Sequence, residues 1–290
     1  MECPITAVFP TRKRIDAALR TLRVISECDP KPAEIIVHVD GANDKVVNAI
    51  KESFPQVRIL SSSALIGPGG ARNRLVEAAT HELVANFDDD SFPAQPDYFA
   101  CVLEVAAKFP DAAVISASSW EKDWRRSEFQ SIAAPSGCGC IFRKSWFAKT
   151  AGFVPLPIAY NMEEVDIGLQ LHALGGIIVH DPNLRVIHDH PLVKTITAES
   201  NCAVLANTAL LPFLRYPWWL WPVGFWQVSH RIFSLTKLGW TAGLFDGVRM
   251  IPDHFIKHHS YRKIMPGCAV LSWLLLRRRP KILTLQNALP

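Results

Sequence analysis

The stretch LVANFDDDSFP, residues 83–93, runs from a short apolar segment directly into three carboxylates. A continuous apolar run bounded by turn residues is typical of a strand buried in a parallel sheet. Asp88, Asp89 and Asp90 repel one another, so a solvated loop gains no stability from placing them together. Open parallel sheets bind their ligands beyond the carboxyl ends of the strands. The stretch therefore predicts a strand whose end holds a positively charged partner.

Apolar segments and helical patterns alternate on both sides of this stretch, over the first 190 residues. The segments that predict strands are 5–10, 34–40, 57–60, 82–88 and 112–118, and those that predict helices are 14–28, 44–54, 70–80 and 97–109. This alternation is typical of an α/β fold with a mostly parallel open sheet flanked by helices. Asp40 follows the second strand, so we expect it to line the same crevice as the three aspartates.

Charge divides the chain unevenly. Residues 1–201 hold 20 Lys and Arg against 25 Asp and Glu, whereas residues 202–290 hold 11 against two, together with six of the nine tryptophans. A basic, Trp-rich segment is typical of a chain that contacts an anionic membrane surface, and its leucines favour lipid over nucleic acid as the partner. We therefore predict an α/β domain over residues 1–195 and a helical, membrane-associating tail over residues 196–290.

Residues 202–229 of this tail are almost wholly apolar, with Arg215 as the single charged residue. The segment is long enough to span a bilayer, but prolines recur every five residues and disfavour a continuous helix. We predict short broken helices that lie at the membrane interface; a helical subdomain packed on the α/β domain is the alternative. Residues 268–276 are too short to span, and the arginines at 277–279 suit anionic headgroups.

The seven cysteines are irregularly spaced and include no CxxC pair. The sequence therefore predicts neither a structural zinc site nor a disulfide framework. Free cysteines favour a reducing compartment, and the first residues lack the basic and apolar regions of a secretory signal. We expect a protein that is peripheral on the cytoplasmic face of a membrane.

Hard divalent cations are the partner that the three aspartates suit. Mg²⁺ and Mn²⁺ prefer carboxylate oxygens, and Mg²⁺ is commonly held by one or two carboxylates together with substrate phosphates. Because side chains alternate along an extended chain, Asp88 and Asp90 are expected to face the crevice together. Asp89 then either contacts the same ligand or serves only the turn.

A second acidic group, Glu163, Glu164 and Asp166, opens a predicted helix. Acidic residues in a first turn interact favourably with the helix dipole, but a carboxylate here can also act as a general base. Glu164 and Asp166 are both candidates for that base. Residues 176–191 then predict a strand pair that ends in His188, a candidate metal ligand.

Residues 67–80, GPGGARNRLVEAAT, predict a glycine-rich turn followed by a helix. Helix N-termini and arginine side chains both attract phosphate, so Arg72 is a candidate phosphate ligand. The turn lacks the Gly-Lys-Ser/Thr of a P-loop and does not match a dinucleotide-binding fingerprint.

Taken in order, the segments between residues 4 and 191 resemble a family 2 glycosyltransferase of GT-A fold. VFPTRKR, EIIVHVDGAND, GPGGARNRLVEAA and ANFDDDSFP resemble its first strand, its Asp-Asp-Gly-Ser strand, its Gly-Pro-Ala turn with the following helix, and its Asp-x-Asp strand end. GCGCIFRKSWFAKTAGF resembles the acceptor-side strand and helix, EEVDIGLQLHALG the Glu-Asp-x-Asp-Leu motif, and VIHDH the late histidine. The tail also resembles the tails of some bacterial members.

The resemblance implies that a sugar is transferred, with inversion, from a nucleotide-sugar donor to a hydroxyl of a saccharide or lipid-linked acceptor, in the synthesis of cell-surface polysaccharide or glycolipid. It implies Mg²⁺ or Mn²⁺ held by Asp90 and His188, and Glu164 at the position of the catalytic base. Asp40 is expected at the nucleobase and Asp88 at the ribose. The donor-binding set that it implies is Pro10, Thr11, Arg14, Asp40, Arg72, Asp88 and Asp89.

Acceptor contacts are expected from Glu163 and from Trp120 and Trp124. The two tryptophans lie in the segment 118–137 together with Arg125 and Arg126. This segment could stack on a sugar and hold an anionic group, or equally form a basic surface loop.

Three positions depart from the family pattern. Arg12-Lys13 replaces Tyr-Asn, Val39 replaces the first Asp of Asp-Asp-Gly-Ser, and Glu164 replaces Asp. The first change removes a tyrosine that would stack on the nucleobase, so the identity of the nucleobase stays open. The third change keeps Asp166 as a second candidate for the catalytic base. Two other functions fit parts of the pattern. A nucleotidyltransferase is disfavoured because no glycines follow the first strand, and the intact acidic set argues against a non-catalytic, membrane-associated binding protein.

Overall fold

The computed structural model describes the chain over residues 2–119, 128–160, 162–189 and 197–283. Trp120 and Trp124, the predicted acceptor contacts, lie outside the described residues, as do Arg125 and Arg126. The predicted domain boundary between residues 195 and 196 also lies outside them and stays a prediction.

Ten strands of the described residues form a mixed sheet. They are β1 (Glu2–Thr11), β2 (Lys31–Val39), β3 (Arg58–Ser61), β4 (Leu83–Asn86), β5 (Ser91–Pro93), β6 (Ala112–Ser118), β7 (Gln130–Ser131), β8 (Cys140–Arg143), β9 (Ile177–His188) and β10 (Lys281–Ile282). The order is β10-β7-β9-β6-β8-β4-β1-β2-β3, and β5 pairs with β9 off this path. β1 is parallel to β2 and β4, whereas β8 runs antiparallel between β4 and β6. The predicted α/β fold is confirmed, with a sheet that is mixed rather than mostly parallel.

Helices cover both faces of the sheet and continue into the tail. They are α1 (Ile15–Glu27), α2 (Asp44–Ser53), α3 (Gly67–Ala78), α4 (Tyr98–Lys108), α5 (Lys144–Phe147), α6 (Glu163–Ala173), α7 (Ala198–Arg215), α8 (Trp221–Lys237), α9 (Leu244–His258) and α10 (Gly267–Arg278). Alternate side chains of β1 point to opposite faces. Ile5, Ala7 and Phe9 join the core that includes α1, α2 and α4, whereas Val8 joins the core that includes α3 and α6.

Helix α3 begins earlier than predicted, because GPGG forms its first turn instead of preceding it. Proline is tolerated in a first turn, where its missing N–H has no helical partner to lose. The Asp40 carboxylate accepts hydrogen bonds from the N–H groups of Ile66 and Gly67, at 2.9 and 3.0 Å. Gly67 has a φ of +73°, and a side chain there would collide with the Leu156 carbonyl. The strand end of β2 therefore fixes where α3 starts.

The strand pair predicted at residues 176–191 is one strand, β9. Its pairing with β6 shifts register between His180 and Arg185. Pro182 lies inside this interval and has no N–H to donate to the ladder, so the chain bulges and then continues. The continued half of β9 carries His188 toward the acidic strand end.

A third apolar core joins the α/β body to the tail. It includes Leu169 of α6, Leu210 and Leu214 of α7 and Trp273 of α10, all fully buried. The Trp273 indole N–H also donates a hydrogen bond of 2.8 Å to the Ala133 carbonyl. The first and last helices of the tail are therefore packed on the body, which is the alternative that the sequence left open.

Within this core, Arg215 and Asp166 form an ion pair between side chains that are 0% and 1% exposed. The Nε and Nη2 groups of Arg215 donate to the two carboxylate oxygens of Asp166, at 2.5 and 2.8 Å. Arg215 Nη1 donates to the Tyr261 carbonyl at 2.6 Å, and Gln170 donates to Asp166 at 2.9 Å. The single charge of the apolar segment 202–229 is thus neutralised by α6.

The outer sides of α8 and α9 are apolar and exposed. Trp221, Phe225 and Phe233 recur at multiples of four residues along α8, so they share one side of it, and they are 45%, 76% and 66% exposed. Phe245 and Ile256 of α9 are also exposed. The helix breaks that the prolines predict occur only in part. Helix α7 continues through Pro212, but it ends before Pro217. Among the described residues, none of the helices combines the length and apolar character needed to cross a bilayer.

The substitution R215M tests the link between body and tail. We expect it to lower the free energy of unfolding by about 3–5 kcal/mol, because Asp166 is left as an uncompensated buried charge. Urea unfolding followed by circular dichroism measures this value.

The matched control is R279M, which removes an exposed arginine at the end of α10 and is expected to change stability by less than about 0.5 kcal/mol. The double variant D166N/R215M is expected to be more stable than R215M, since no buried charge is left alone. Equal stability of R215M and R279M would contradict the anchoring role.

Candidate active site

The acidic triplet occupies a turn directly after β4, at the carboxyl ends of the parallel strands. Ser91 closes this turn: its Oγ accepts a hydrogen bond from the Asp88 N–H at 2.7 Å, and its N–H donates to the Asp88 carbonyl at 3.0 Å. Thr21 of α1 donates to the Asp89 carbonyl at 2.9 Å. These bonds hold the three carboxylates together against their mutual repulsion.

Arg14 supplies positive charge to two of the three carboxylates. Its guanidinium forms two hydrogen bonds with Asp89 and one of 2.5 Å with Asp90, and Thr11 Oγ1 donates to Asp89 at 2.8 Å. Burial raises the pKa of the Asp89 carboxyl despite Arg14 and Thr11. Burial also opposes ionisation of Asp90, but the hydrogen bond with His188 and the charge of Arg14 outweigh it and lower the Asp90 pKa to about 2. Asp90 is therefore ionised at neutral pH.

His188 reaches the triplet because β9 pairs with β5, in a register that places it opposite Ser91. Its Nε2 lies 3.3 Å from Asp90 Oδ1 and 3.9 Å from Asp88 Oδ2. Asp88 and Asp90 thus both lie near the imidazole, whereas Arg14 contacts Asp89 and Asp90. The turn produces this arrangement, since the triplet is not extended as alternation along a strand requires.

Asp88, Cys138 and His188 each present one ligand atom within 4.8 Å of the others. Burial raises the pKa of the Cys138 thiol well above its usual value, so the protonated thiol is a poor ligand. Carboxylate oxygens joined by one imidazole nitrogen suit a divalent cation such as Mn²⁺. Sequence reasoning missed the proximity of Cys138, because only the fold brings the start of β8 beside the end of β4.

Arg72 connects the triplet to the second acidic group. Its guanidinium is buried and forms ion pairs with Asp88 and with Glu163, the first residue of α6. Burial opposes the charge on Arg72, but Glu163 and Asp88 outweigh it and raise the Arg72 pKa. Burial raises the pKa of Glu163 to about 7 against the attraction of Arg72. Glu163 is therefore a buried partner of Arg72, and the acceptor contact expected of it stays a prediction.

The two candidate bases lie in different surroundings. Both oxygens of Asp166 are engaged by Arg215 inside the third core. Glu164 is half-buried and lines a small cavity together with Arg72 and Gly137. A Cβ atom at Gly137 would overlap the Glu164 carboxylate, so only glycine leaves room for it there. Of the two, Glu164 is the one that lines this cavity.

Asp40 and the end of β1 complete the strand-end edge of the site. The Asp40 carboxylate accepts three hydrogen bonds, from Ser62 Oγ and from two N–H groups at the start of α3. Its own N–H donates to the Thr11 carbonyl at 2.8 Å. Pro10, paired in register with His38, is half-buried beside them. The structure thus brings Pro10, Thr11 and Asp40 to one edge, and the nucleobase contact of Asp40 stays a prediction.

Several known proteins are similar to this chain in sequence or in fold. The chain is similar to the N-acetylglucosaminyl-diphospho-decaprenol L-rhamnosyltransferase of Mycobacterium tuberculosis, at 23% identity over 235 residues, which cover 64% of this chain and 75% of that protein. The mannosyltransferase PcManGT from Pyrobaculum calidifontis, in complex with GDP-Man and Mn²⁺, superposes with a TM-score of 0.59 at 14% identity, covering 95% of this chain and 87% of that chain. A TarS fragment from S. aureus, in complex with UDP-GlcNAc, gives 0.54 at 13% identity and covers 72% and 66%.

The mixed sheet flanked by helices has the GT-A fold, which these structures share. The model for Glycosyl transferase family 2 matches residues 6–151, which is half of the chain. The chain belongs to this family, so the resemblance stated from the sequence is confirmed, and the nucleotidyltransferase alternative is rejected.

Proposed function

We propose that this chain transfers a sugar, with inversion, from a nucleoside diphosphate sugar to a hydroxyl of a saccharide carried on a lipid diphosphate, in the synthesis of a cell-surface polysaccharide or glycolipid. The observation that carries the proposal is a continuous row of charged side chains. It runs from Asp90 and His188 through Asp88 and Arg72 to the α6 carboxylates. The acceptor class is supported by the similar rhamnosyltransferase, whose acceptor is a decaprenol-linked N-acetylglucosamine.

The donor belongs on the side of β1, β2 and β4. Ligands of open α/β sheets bind beyond the strand ends, and the arginines of this edge can bind phosphate oxygens. The set that we propose for donor binding is Pro10, Thr11, Arg14, Asp40, Arg72, Asp88 and Asp89.

Asp88, Asp90 and His188 would hold the divalent cation. The carboxylates of this set suit Mg²⁺ or Mn²⁺, and the Mn²⁺ in the complex of the similar mannosyltransferase supports Mn²⁺. A bound cation would neutralise the charge that develops on the departing nucleoside diphosphate. Asp90 is ready for this role, since Arg14 and His188 keep it ionised.

Glu164 would act as the general base. Its half-buried carboxylate lies at the cleft, where it can take the proton from the attacking acceptor hydroxyl. Asp166 is engaged by Arg215, so its role would be to hold α6 in position. Attack on the face opposite the leaving group inverts the anomeric centre.

The exposed apolar sides of α8 and α9 would rest on the membrane surface. Basic residues of the tail, which number 11 against two acidic ones in residues 202–290, would attract anionic headgroups. We propose a peripheral protein on the cytoplasmic face, because free cysteines favour a reducing compartment. The segment 196–290 would then serve two roles. Helices α7 and α10 would pack against α6, and helices α8 and α9 would contact the membrane.

The substitution E164Q tests the base. We expect kcat for sugar transfer to fall by about 10²–10⁴-fold, the usual contribution of general base catalysis, with the donor KM changed less than about threefold. The control is E77Q, which neutralises an exposed glutamate of α3. Full transfer by E164Q would exclude Glu164, and absence of transfer and donor hydrolysis in the parent protein would favour a non-catalytic binding protein.

The substitution G137A tests the position of the Glu164 carboxylate. The new methyl group displaces that carboxylate, so we expect kcat to fall by at least about tenfold with thermal stability within a few degrees of the parent. Adding G137A to E164Q should cause little further loss, since both changes act on one group. Independent, multiplying losses would show that Gly137 acts elsewhere.

Cation binding is tested by H188A. We expect Mn²⁺ affinity, measured by electron paramagnetic resonance of free Mn²⁺, to fall by at least about tenfold, and chelation to abolish transfer in the parent protein until Mn²⁺ is restored. The control H259A removes an exposed histidine of the tail. Unchanged Mn²⁺ affinity in H188A would remove this residue from the ligand set.

A further inference from the structure

A groove of about 800 Å³ lies between α7, α8 and α10. Its apolar walls include Leu211 of α7, Val223 of α8, and Leu271 and Leu274 of α10. Its volume is typical of pockets that bind small molecules. None of the residues assigned above to the donor, the cation or the base lines it, so the groove is a separate feature of the tail.

Arginine side chains line this apolar groove without acidic partners. Arg231 of α8 and Arg277 and Arg278 of α10 contribute to it, and its lining includes no Asp or Glu. None of these three guanidiniums forms an ion pair with a carboxylate of the described residues. Burial of Arg231 and the nearby charge of the exposed Arg277 lower the pKa of Arg231, because both disfavour its charged form. An anion bound between these side chains would relieve that cost.

The groove adjoins the acceptor side of the active site through α6. Val165 of this helix lines the groove, and its neighbour Glu164 lines the catalytic cleft. Trp273 of α10 holds the Ala133 carbonyl at 2.8 Å, two residues before the segment 135–137 that also lines the cleft. The groove and the cleft are therefore lined by adjacent residues of α6.

The outer lip of the groove belongs to the exposed apolar surface of the tail. Trp226 of α8 and Leu275 of α10 both line the groove, and they are 64% and 67% exposed. Trp226 directly follows Phe225 of the exposed side of α8. A chain that leaves the groove at this lip emerges where the protein would meet the membrane.

We propose that this groove binds the phosphate groups and the first chain carbons of the lipid-linked acceptor. Arg231 and Arg277 contact the phosphate oxygens, whose geometry matches the paired N–H groups of a guanidinium. The leucine and valine walls receive the hydrocarbon, and the saccharide extends past Val165 toward Glu164. The inference rests on the proposed function for the acceptor class. A free nucleotide or a nucleic acid does not suit this site, since it has no aliphatic chain to cover the apolar walls.

Binding of farnesyl diphosphate to the full-length protein in nonionic detergent tests the proposal. Farnesyl diphosphate carries both chemical parts of the proposed ligand, the phosphate groups and the hydrocarbon chain. Isothermal titration calorimetry measures its affinity for the protein. We expect R231Q/R277Q to bind it at least about tenfold more weakly, because charge-assisted hydrogen bonds to phosphate are lost. The control K237Q/R249Q removes two positive charges of α8 and α9 outside the groove and should bind as the parent does.

Two separate probes distinguish the groove from general electrostatics. Inorganic diphosphate and farnesol should each bind at least about tenfold more weakly than farnesyl diphosphate, since each supplies only one part. The variant R277Q/R278Q alters exposed residues alone and should reproduce the loss if the partly buried Arg231 proves necessary for folding. Equal loss in K237Q/R249Q, or equal binding of inorganic diphosphate, would overturn the proposal.

Two further assays separate acceptor binding from the other proposed roles. Vesicle binding tests whether the groove serves only as a membrane contact, and sugar-transfer assays test the enzymatic function. R231Q/R277Q should keep at least half of the parent's binding to phosphatidylglycerol vesicles; a parallel loss would mean bulk lipid contact instead of an acceptor site. It should also keep the parent's rate of donor hydrolysis, whereas E164Q should lose transfer and keep farnesyl diphosphate binding. If the parent shows no transfer but the groove variant loses binding, the proposed function fails and the binding site stands.

Discussion

The buried ion pair between Asp166 and Arg215 holds helix α6, and both binding regions of the molecule depend on that helix. Glu163 points from it to the arginine of the cleft, Glu164 to the cleft itself, and Val165 to the groove of the tail. Rotation of α6 by even one residue would move every one of these side chains to another surface. The pair is fully desolvated, so its two charges are tolerable only together. The tail therefore helps to fix the position of α6.

Arginine side chains offset the mutual repulsion of the carboxylates in the cleft. Four carboxylates, at Asp88, Asp89, Asp90 and Glu163, lie close together and mostly out of water. Arg14 and Arg72 are permanently charged and each bridges two of them. The carboxylates are consequently fixed before a donor arrives, and prearranged charge of this kind requires little reorganisation during a reaction.

The tail has one side that packs on the α/β body and another that is apolar and exposed. The inner sides of α7 and α10 carry Leu210, Leu214 and Trp273 into the third core. The outer sides of α8 and α9 leave large aromatic residues in contact with solvent, which is unusual unless another phase or partner covers them. The groove lies between these two layers, where an apolar chain and a charged headgroup can both be accommodated.

Local pattern was sufficient for the α/β fold, the acidic strand end and the family, because alternating apolar segments and a strand-end acidic cluster are encoded in consecutive residues. It also identified Glu164, Asp166, Arg72 and His188 as residues of interest. It did not reveal which carboxylate faces the cleft, since that depends on Arg215, 49 positions further along the chain. Nor did it show Cys138 beside Asp88 or the arginines around the groove. Such contacts join residues distant in sequence, and only the packing of helices on the sheet brings them within reach.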